Sequence, residues 1–184
     1  MFNKKRDIND WYIEHSHSIF NYIYMLTHDY QKAEDLTHET YIKAYKSYEM
    51  FQHNSSPKTW LYRIAHNVTV DYFRKSKPLV FFKNLFLASD PTPLPQDIVE
   101  MKEEVNEIYM ILQRLKSSYR EVIILRKIKE FSTKETSEIL GWSESKVKST
   151  LSRALVEFEE RLIKEGYEYE QKVEFFRSKS GSLE

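Results

Sequence analysis

Between Ser143 and Ala154 the chain sets Ser145, Lys146, Ser149, Ser152 and Arg153 on one side of a helix, with Lys148 at its edge. Successive helical residues turn by about 100°, so this face opposes Val147, Leu151, Ala154 and Leu155, which are placed to bury. Hydroxyls can bond base edges or phosphate oxygens, and Lys or Arg can hold a phosphate or the guanine edge. The chemistry on offer is recognition of nucleic acid rather than bond-making. The competing reading is an ordinary solvated helix face, and the residues just before it decide between the two.

Those residues spell out a capped turn. Ser132, with Glu135 three positions on, has the spacing of a capping box, which satisfies two otherwise orphaned N–H groups at a helix start. That helix runs through Ile139 and Leu140 and stops at Gly141, the residue type that takes the left-handed position beyond a helix end at least steric cost. Ser143 is then the next N-cap, and Trp142 before it can staple onto Val147. Two short helices about a glycine turn, the second with a polar face, is the helix-turn-helix arrangement that lays one helix in the DNA major groove.

Enzyme chemistry has little to stand on, and neither a cofactor nor a metal is expected. The six histidines, His15, His17, His28, His38, His53 and His66, include no pair spaced three residues apart, and the chain has no cysteine. His15 and His17 fall about 200° apart on a helix and do not converge. Three glycines in the whole chain cannot build a phosphate-cradling loop. Glu34, Asp35 and Glu39 read as a solvated acidic face rather than as cation ligands.

With 184 residues, 41% of them hydrophobic, the chain can form one domain or two small ones. Few glycines and prolines, and no alternating apolar runs, predict an all-α protein. The polar start (Asn3, Lys4, Lys5, Arg6, Asp7) lacks the apolar core of a signal peptide, and no stretch reaches the roughly 20 apolar residues of a membrane helix. With cysteine absent as well, a cytoplasmic location without membrane insertion is expected. Basic and acidic residues balance at 28 each, so a nucleic-acid surface must come from segregation. Lys58, Arg63, Arg74, Lys75, Lys77 and Lys83 face Asp71 alone, whereas from Ala88 to Ile108 six acids face only Lys102. Between these runs Pro78, Pro91, Pro93 and Pro95 break the pattern, predicting two small helical domains on a flexible linker: residues 1–75, linker 76–103, residues 104–165, and a tail over 166–184.

Residues 1–75 read as a helical bundle. A first helix is expected from about Asp10 to Leu26, and a second from an N-cap at Asp29 to about Tyr48. Asp35, His38, Glu39 and Ile42 lie on the far side of the second helix from its apolar cluster. Ile42 is the odd member of this charged stripe and suits protein docking. A third helix begins at Ser56-Pro57, N-cap and first turn. Its outer side is expected to interleave Tyr62, His66, Asn67, Thr69 and Phe73 with Arg63, Arg74 and Lys75. Aromatics among cations suit unstacked bases. The loop Met50–Ser55, with Phe51 and His53, lies next to that face.

Taken together, Ala33-Glu34-Asp35-Leu36-Thr37-His38-Glu39-Thr40-Tyr41-Ile42, Trp60-Leu61-Tyr62-Arg63-Ile64-Ala65-His66-Asn67 and Asp71-Tyr72-Phe73-Arg74 resemble region 2 of bacterial sigma factors. Leu115 to Leu162, with Tyr119-Arg120-Glu121-Val122 and the helix-turn-helix, resembles their region 4. The size and the two regions in order are similar to the extracytoplasmic-function (ECF, group 4) class of the sigma-70 family.

The resemblance implies a sigma factor that binds bacterial core RNA polymerase and directs it to promoter DNA, aiding transcription initiation. It places Asp35, His38, Glu39 and Ile42 on the clamp helices of the largest polymerase subunit. It assigns Phe51, His53, Tyr62, Arg63, His66, Asn67, Phe73, Arg74 and Lys75 to the melted −10 element. Ser145, Lys146, Lys148, Ser149, Ser152 and Arg153 go to the double-stranded −35 element. The linker would thread towards the polymerase active site. An anti-sigma factor, in many relatives anchored in a membrane, is implied as the regulator. Two places depart from the family pattern: His38 stands where glutamine is usual, and serines, notably within Ser149-Thr150-Leu151-Ser152-Arg153, stand where many relatives carry arginine. The rival class is a helix-turn-helix regulator that works without core polymerase.

Overall fold

The computed structural model describes residues 3–51, 54–86 and 110–165, the helix backbone alone over 76–86. These residues divide between two compact units, Met1–Ile98 and Val99–Glu184. Among them every regular element is helical. His53, most of the predicted linker, and the tail lie outside the described residues.

In the first unit, α1 spans Lys4–Thr27 and starts where the Asn3 side chain accepts from the Arg6 N–H. The helix thus begins six residues before the expected start, and the gain is a turn that carries buried Ile8. The helix ends on His28 in the left-handed region (φ 53°), whose N–H returns to the Tyr24 carbonyl. Asp29 then caps α2 (Tyr30–Lys46), accepting from Lys32 N–H at 2.9 Å. Helix α2 ends at Lys46, close to the expected end near Tyr48, and a short 3₁₀ turn, Tyr48–Met50, follows it. Ser56 Oγ accepts from Thr59 N–H at 3.1 Å and opens α3 (Pro57–Phe86).

Helices α1, α2 and α3 all pack on one another. The shared core holds Ile19, Tyr22, Ile23, Leu36, Leu61, Tyr62, Ala65 and Val68. Buried Thr37, Thr40 and Thr69 donate their hydroxyls to the carbonyl one turn back, at 2.6, 2.7 and 2.8 Å, so each enters the core satisfied. An aromatic knot of Trp11 against Tyr48, Phe51 and Trp60, with centroids 5.4–6.0 Å apart, ties the 3₁₀ turn to α1 and α3.

Helix α3 runs on through Pro78 to Phe86, past the point where the sequence places the start of the linker. Proline costs an interior helix its bond to the residue four back, about 3 kcal/mol. Leu79 to Phe86 contain no glycine and no second proline, so nothing local compounds that loss.

In the second unit, helical residues 110–113 precede α4 (Ser117–Ile123), which continues into a π-helical turn, Ile124–Ile128. Lys129 N–H closes that turn on the Ile124 carbonyl at 2.8 Å, and Glu130 leaves it with φ 60°. Helices α5 (Thr133–Leu140) and α6 (Glu144–Lys164) follow. Ile111, Leu112, Leu115, Val122, Ile123, Val147, Ala154, Phe158 and Leu162 form this unit's own core, with Tyr119, Trp142, Leu151 and Leu155 half-buried at its margin.

Candidate nucleic-acid interface and docking stripe

The turn between α5 and α6 is built as its residues dictate. Glu135 N–H donates to Ser132 Oγ at 3.1 Å while Ser132 N–H donates to the Glu135 carboxylate at 2.8 Å. Gly141 takes φ 65°, and the N–H of Trp142 reaches back to the Ser137 carbonyl at 3.0 Å. Nothing stands within 4 Å of where a Cβ on Gly141 would sit, so glycine is there for its backbone and not for space. Ser143 Oγ then accepts from Lys146 N–H at 3.2 Å and starts α6.

Because Val147, Ala154 and Phe158 are drawn into the core, Ser145, Lys146, Lys148, Ser149, Ser152 and Arg153 are all exposed on α6. Three cations share this stretch with one carboxylate, Glu144, which sits in the first turn where the helix dipole favours it. Ser149 Oγ donates to the Lys146 carbonyl at 3.2 Å, leaving its lone pairs outward as acceptors. Lys146 Nζ lies 4.2 Å from the centroid of the Trp142 ring. The sequence reading used Trp142 only as an apolar staple and missed this pairing. The four-residue spacing of an aromatic and a lysine across a helix start was the available signal.

On α3 the expected nucleic-acid face divides. Arg63, Asn67, Phe73, Arg74 and Lys75 are exposed, and Arg74 is bound to Asp71 at 2.9 Å. Tyr62, His66 and Phe51 are not on that surface: they are 0%, 8% and 7% exposed. Thr69, expected beside them, is buried as well. This corrects the outer face read from periodicity. Helix α3 packs on both α1 and α2, so its buried arc is wider than a single stripe. Tyr62 packs at a tilt against Tyr22 (ring centroids 5.1 Å) and shares a 2.6 Å hydrogen bond with Ser18 Oγ, and burial raises its phenol to about 12. Burial lowers His66 to about 4, and its buried Nδ1 finds no partner, so the ring is neutral at pH 7 and offers no cation to a phosphate.

The stripe on α2 is fully outward. Asp35, His38, Glu39 and Ile42 are exposed, Ile42 at 55%. Lys32 lies 3.5 Å from Asp35 and Lys43 lies 3.0 Å from Glu39, both pairs on the helix surface. Such pairs contribute little to stability, which leaves the carboxylates available to a partner. Next to Ile42 in sequence, Tyr41 and Tyr45 line an open groove of about 550 Å³ with Ile8, Asn9 and Tyr12 of α1. Burial and the neighbouring Tyr12 hold the Tyr41 phenol well above its ordinary range.

Two helical units, one bearing an exposed basic helix after a capped glycine turn and the other an exposed acidic–apolar stripe, fit the class of DNA-binding proteins that work with a protein partner. Comparison with known proteins narrows the class. The family models for Sigma-70 region 2 and Sigma-70 region 4 match residues 11–78 and 106–158. The chain is 35% identical over 165 residues to the RNA polymerase sigma factor YlaC of Bacillus subtilis, covering 88% of this chain and 95% of that one. It is 36% identical over 150 residues to the ECF RNA polymerase sigma factor SigX of the same organism, covering 78% and 77%. The sigma factor RpoE from Bartonella quintana, solved in complex with the anti-sigma factor NepR, has a similar structure, with TM-score 0.72, 25% identity and coverage of 85% of this chain and 97% of that one. The chain belongs to the extracytoplasmic-function RNA polymerase sigma factors of the sigma-70 family. Promoter-directed transcription initiation is the activity that this membership carries, and the rival reading of a polymerase-independent regulator is not favoured. Among the described residues no helix is long and apolar enough to cross a membrane.

Proposed function

We propose that α2 docks on the clamp helices of core polymerase through Asp35, His38, Glu39 and Ile42, while α6 reads the −35 element through Ser145, Lys146, Lys148, Ser149, Ser152 and Arg153. The observation that carries this reading is exposure: all ten side chains are outward although the helices that bear them are packed. On α3 the contacts to the melted −10 strand fall to Arg63, Asn67, Phe73, Arg74 and Lys75. Phe51, Tyr62 and His66 serve by holding the helix in place. A protein of balanced charge with one small basic face binds promoter DNA weakly by itself, because few phosphates are neutralised. Polymerase supplies the rest by holding both units at fixed spacing, a gain in effective concentration.

The protein adds no catalytic group of its own to this scheme and works in the cytoplasm. An anti-sigma factor is its regulator, a reading supported by the partner in the similar RpoE structure. Gel filtration of the chain mixed with bacterial core polymerase tests the docking assignment. Wild-type protein co-elutes with core, and Asp35→Lys, a surface change, elutes apart while keeping its helical signal. Co-elution of the charge-reversed variant at wild-type stoichiometry excludes the stripe as the docking surface.

A further inference from the structure

Lysine on a DNA-facing helix ordinarily sweeps a wide arc on four rotatable bonds, and as a point charge it is suited to phosphate rather than to the paired acceptors of a base. Lys146 is held differently from the paired cations of the first unit. Arg74 and Lys43 are each occupied by a carboxylate, Asp71 and Glu39. Lys146 instead lies with its ammonium 4.2 Å from the Trp142 ring centroid. Trp142 precedes the helix, so the ammonium is drawn back over the turn, and Ser149, Ser152 and Arg153 extend the exposed face onward. The indole is itself fixed, half-buried against the core that contains Val147. A ring so anchored orients a cation without neutralising it, whereas a carboxylate would cancel the charge.

We propose that Trp142 is a positioning residue that aims Lys146 at a DNA phosphate beside the −35 element. The pair then sets the register of α6, and base discrimination falls to Ser149, Ser152 and Arg153. The inference rests on the −35 reading of α6 given above and divides its residues into register and readout.

The test measures binding of the full-length chain, assembled with core polymerase, to duplex promoter DNA across a series of salt concentrations. Wild type, Trp142→Leu, Trp142→Phe, Lys146→Gln and the Leu/Gln double variant are compared. Losing one phosphate contact makes the slope of log Kobs against log salt shallower by about 0.9, and Lys146→Gln is expected to show this with unchanged penalties for −35 base substitutions. Trp142→Leu, which keeps the lysine, is expected to keep the slope and lose about two- to five-fold in affinity, the worth of an exposed cation–π contact. Trp142→Phe retains a ring and recovers most of that loss. The double variant binds no worse than Lys146→Gln alone.

An equal penalty for Trp142→Leu with and without Lys146 overturns the positioning role, because a packing defect acts whether or not the lysine is there. A wild-type slope in Lys146→Gln, or loss of base discrimination in it, overturns the phosphate assignment. Failure of the underlying reading looks different: the wild-type complex itself would be indifferent to the −35 sequence.

Discussion

Removing one ring from the second core separates what the two units do. Phe158 is 1% exposed and packs among Leu112, Val122, Ile123, Val147 and Leu162. Truncating such a phenylalanine to alanine costs about 3–5 kcal/mol, the lost transfer energy plus the cavity left behind. The described part of this unit, residues 110–165, is small; at about 0.05–0.15 kcal/mol per residue its whole stability is about 3–8 kcal/mol. Phe158→Ala therefore removes most of it and leaves α4 to α6 largely unfolded near physiological temperature. The first unit, with its separate core about Ile19, Tyr22, Ile23 and Tyr62, loses nothing. Hydrogen exchange followed peptide by peptide is the assay. Protection is expected to collapse across 110–165 and to persist across 3–75, while co-elution with core polymerase survives and −35-dependent initiation disappears. Simultaneous loss of protection in both units, or retention of −35 dependence, refutes the reasoning.

Three further outcomes are expected. His66 is neutral in the folded protein down to about pH 4 but takes up a proton near pH 6.5 when unfolded. The unfolded state thus binds more protons across that window, and the first unit loses stability as pH falls from 6.5 towards 4, by up to about 3 kcal/mol. Urea titrations at pH 7 and pH 5 check this, with His66→Phe expected to flatten the slope. Glu121 works in the opposite sense: burial raises its carboxyl to about 7, against the pull of Arg120, so the second unit loses stability as pH rises from about 4.5 through 7. Glu121→Gln should remove that decline in the same titration, and an unchanged slope argues against a half-buried carboxylic acid there. Ser132→Ala deletes the acceptor of the capping box and should cost the second unit about 1 kcal/mol in thermal melts, with no effect on the first.

Capping chemistry makes the helix-turn-helix legible in the sequence. Ser132, Glu135, Gly141 and Ser143 act within one turn of their own positions, and local rules govern local bonds. The α2 stripe was legible for a related reason, since a helix packed on one side must expose the other. What escaped were effects set by several neighbours at once. Tyr62, His66 and Thr69 were expected outside because a single apolar stripe explains α3 in isolation, yet two packed helices bury a wider arc. Phe51 was placed in a binding loop, but the knot with Trp11 and Trp60 draws it inward. Pro78 reads as a break in the sequence, but the helix continues past it, since one missing hydrogen bond does not by itself end a helix. Lys146 was counted as one more surface cation because its partner, Trp142, lies outside the helix.

Run-off transcription with purified bacterial core polymerase, across a promoter library, tests the central claim most directly. Core alone should start weakly and without choice, and adding this protein should bring initiation at a defined set of start sites that depends on both the −35 and −10 sequences. Asp35→Lys should lose all of these starts, and Arg153→Ala should weaken them by about the 1–3 kcal/mol of a lost base contact, mainly through the −35 element. Transcripts that are the same with and without the protein would contradict the account.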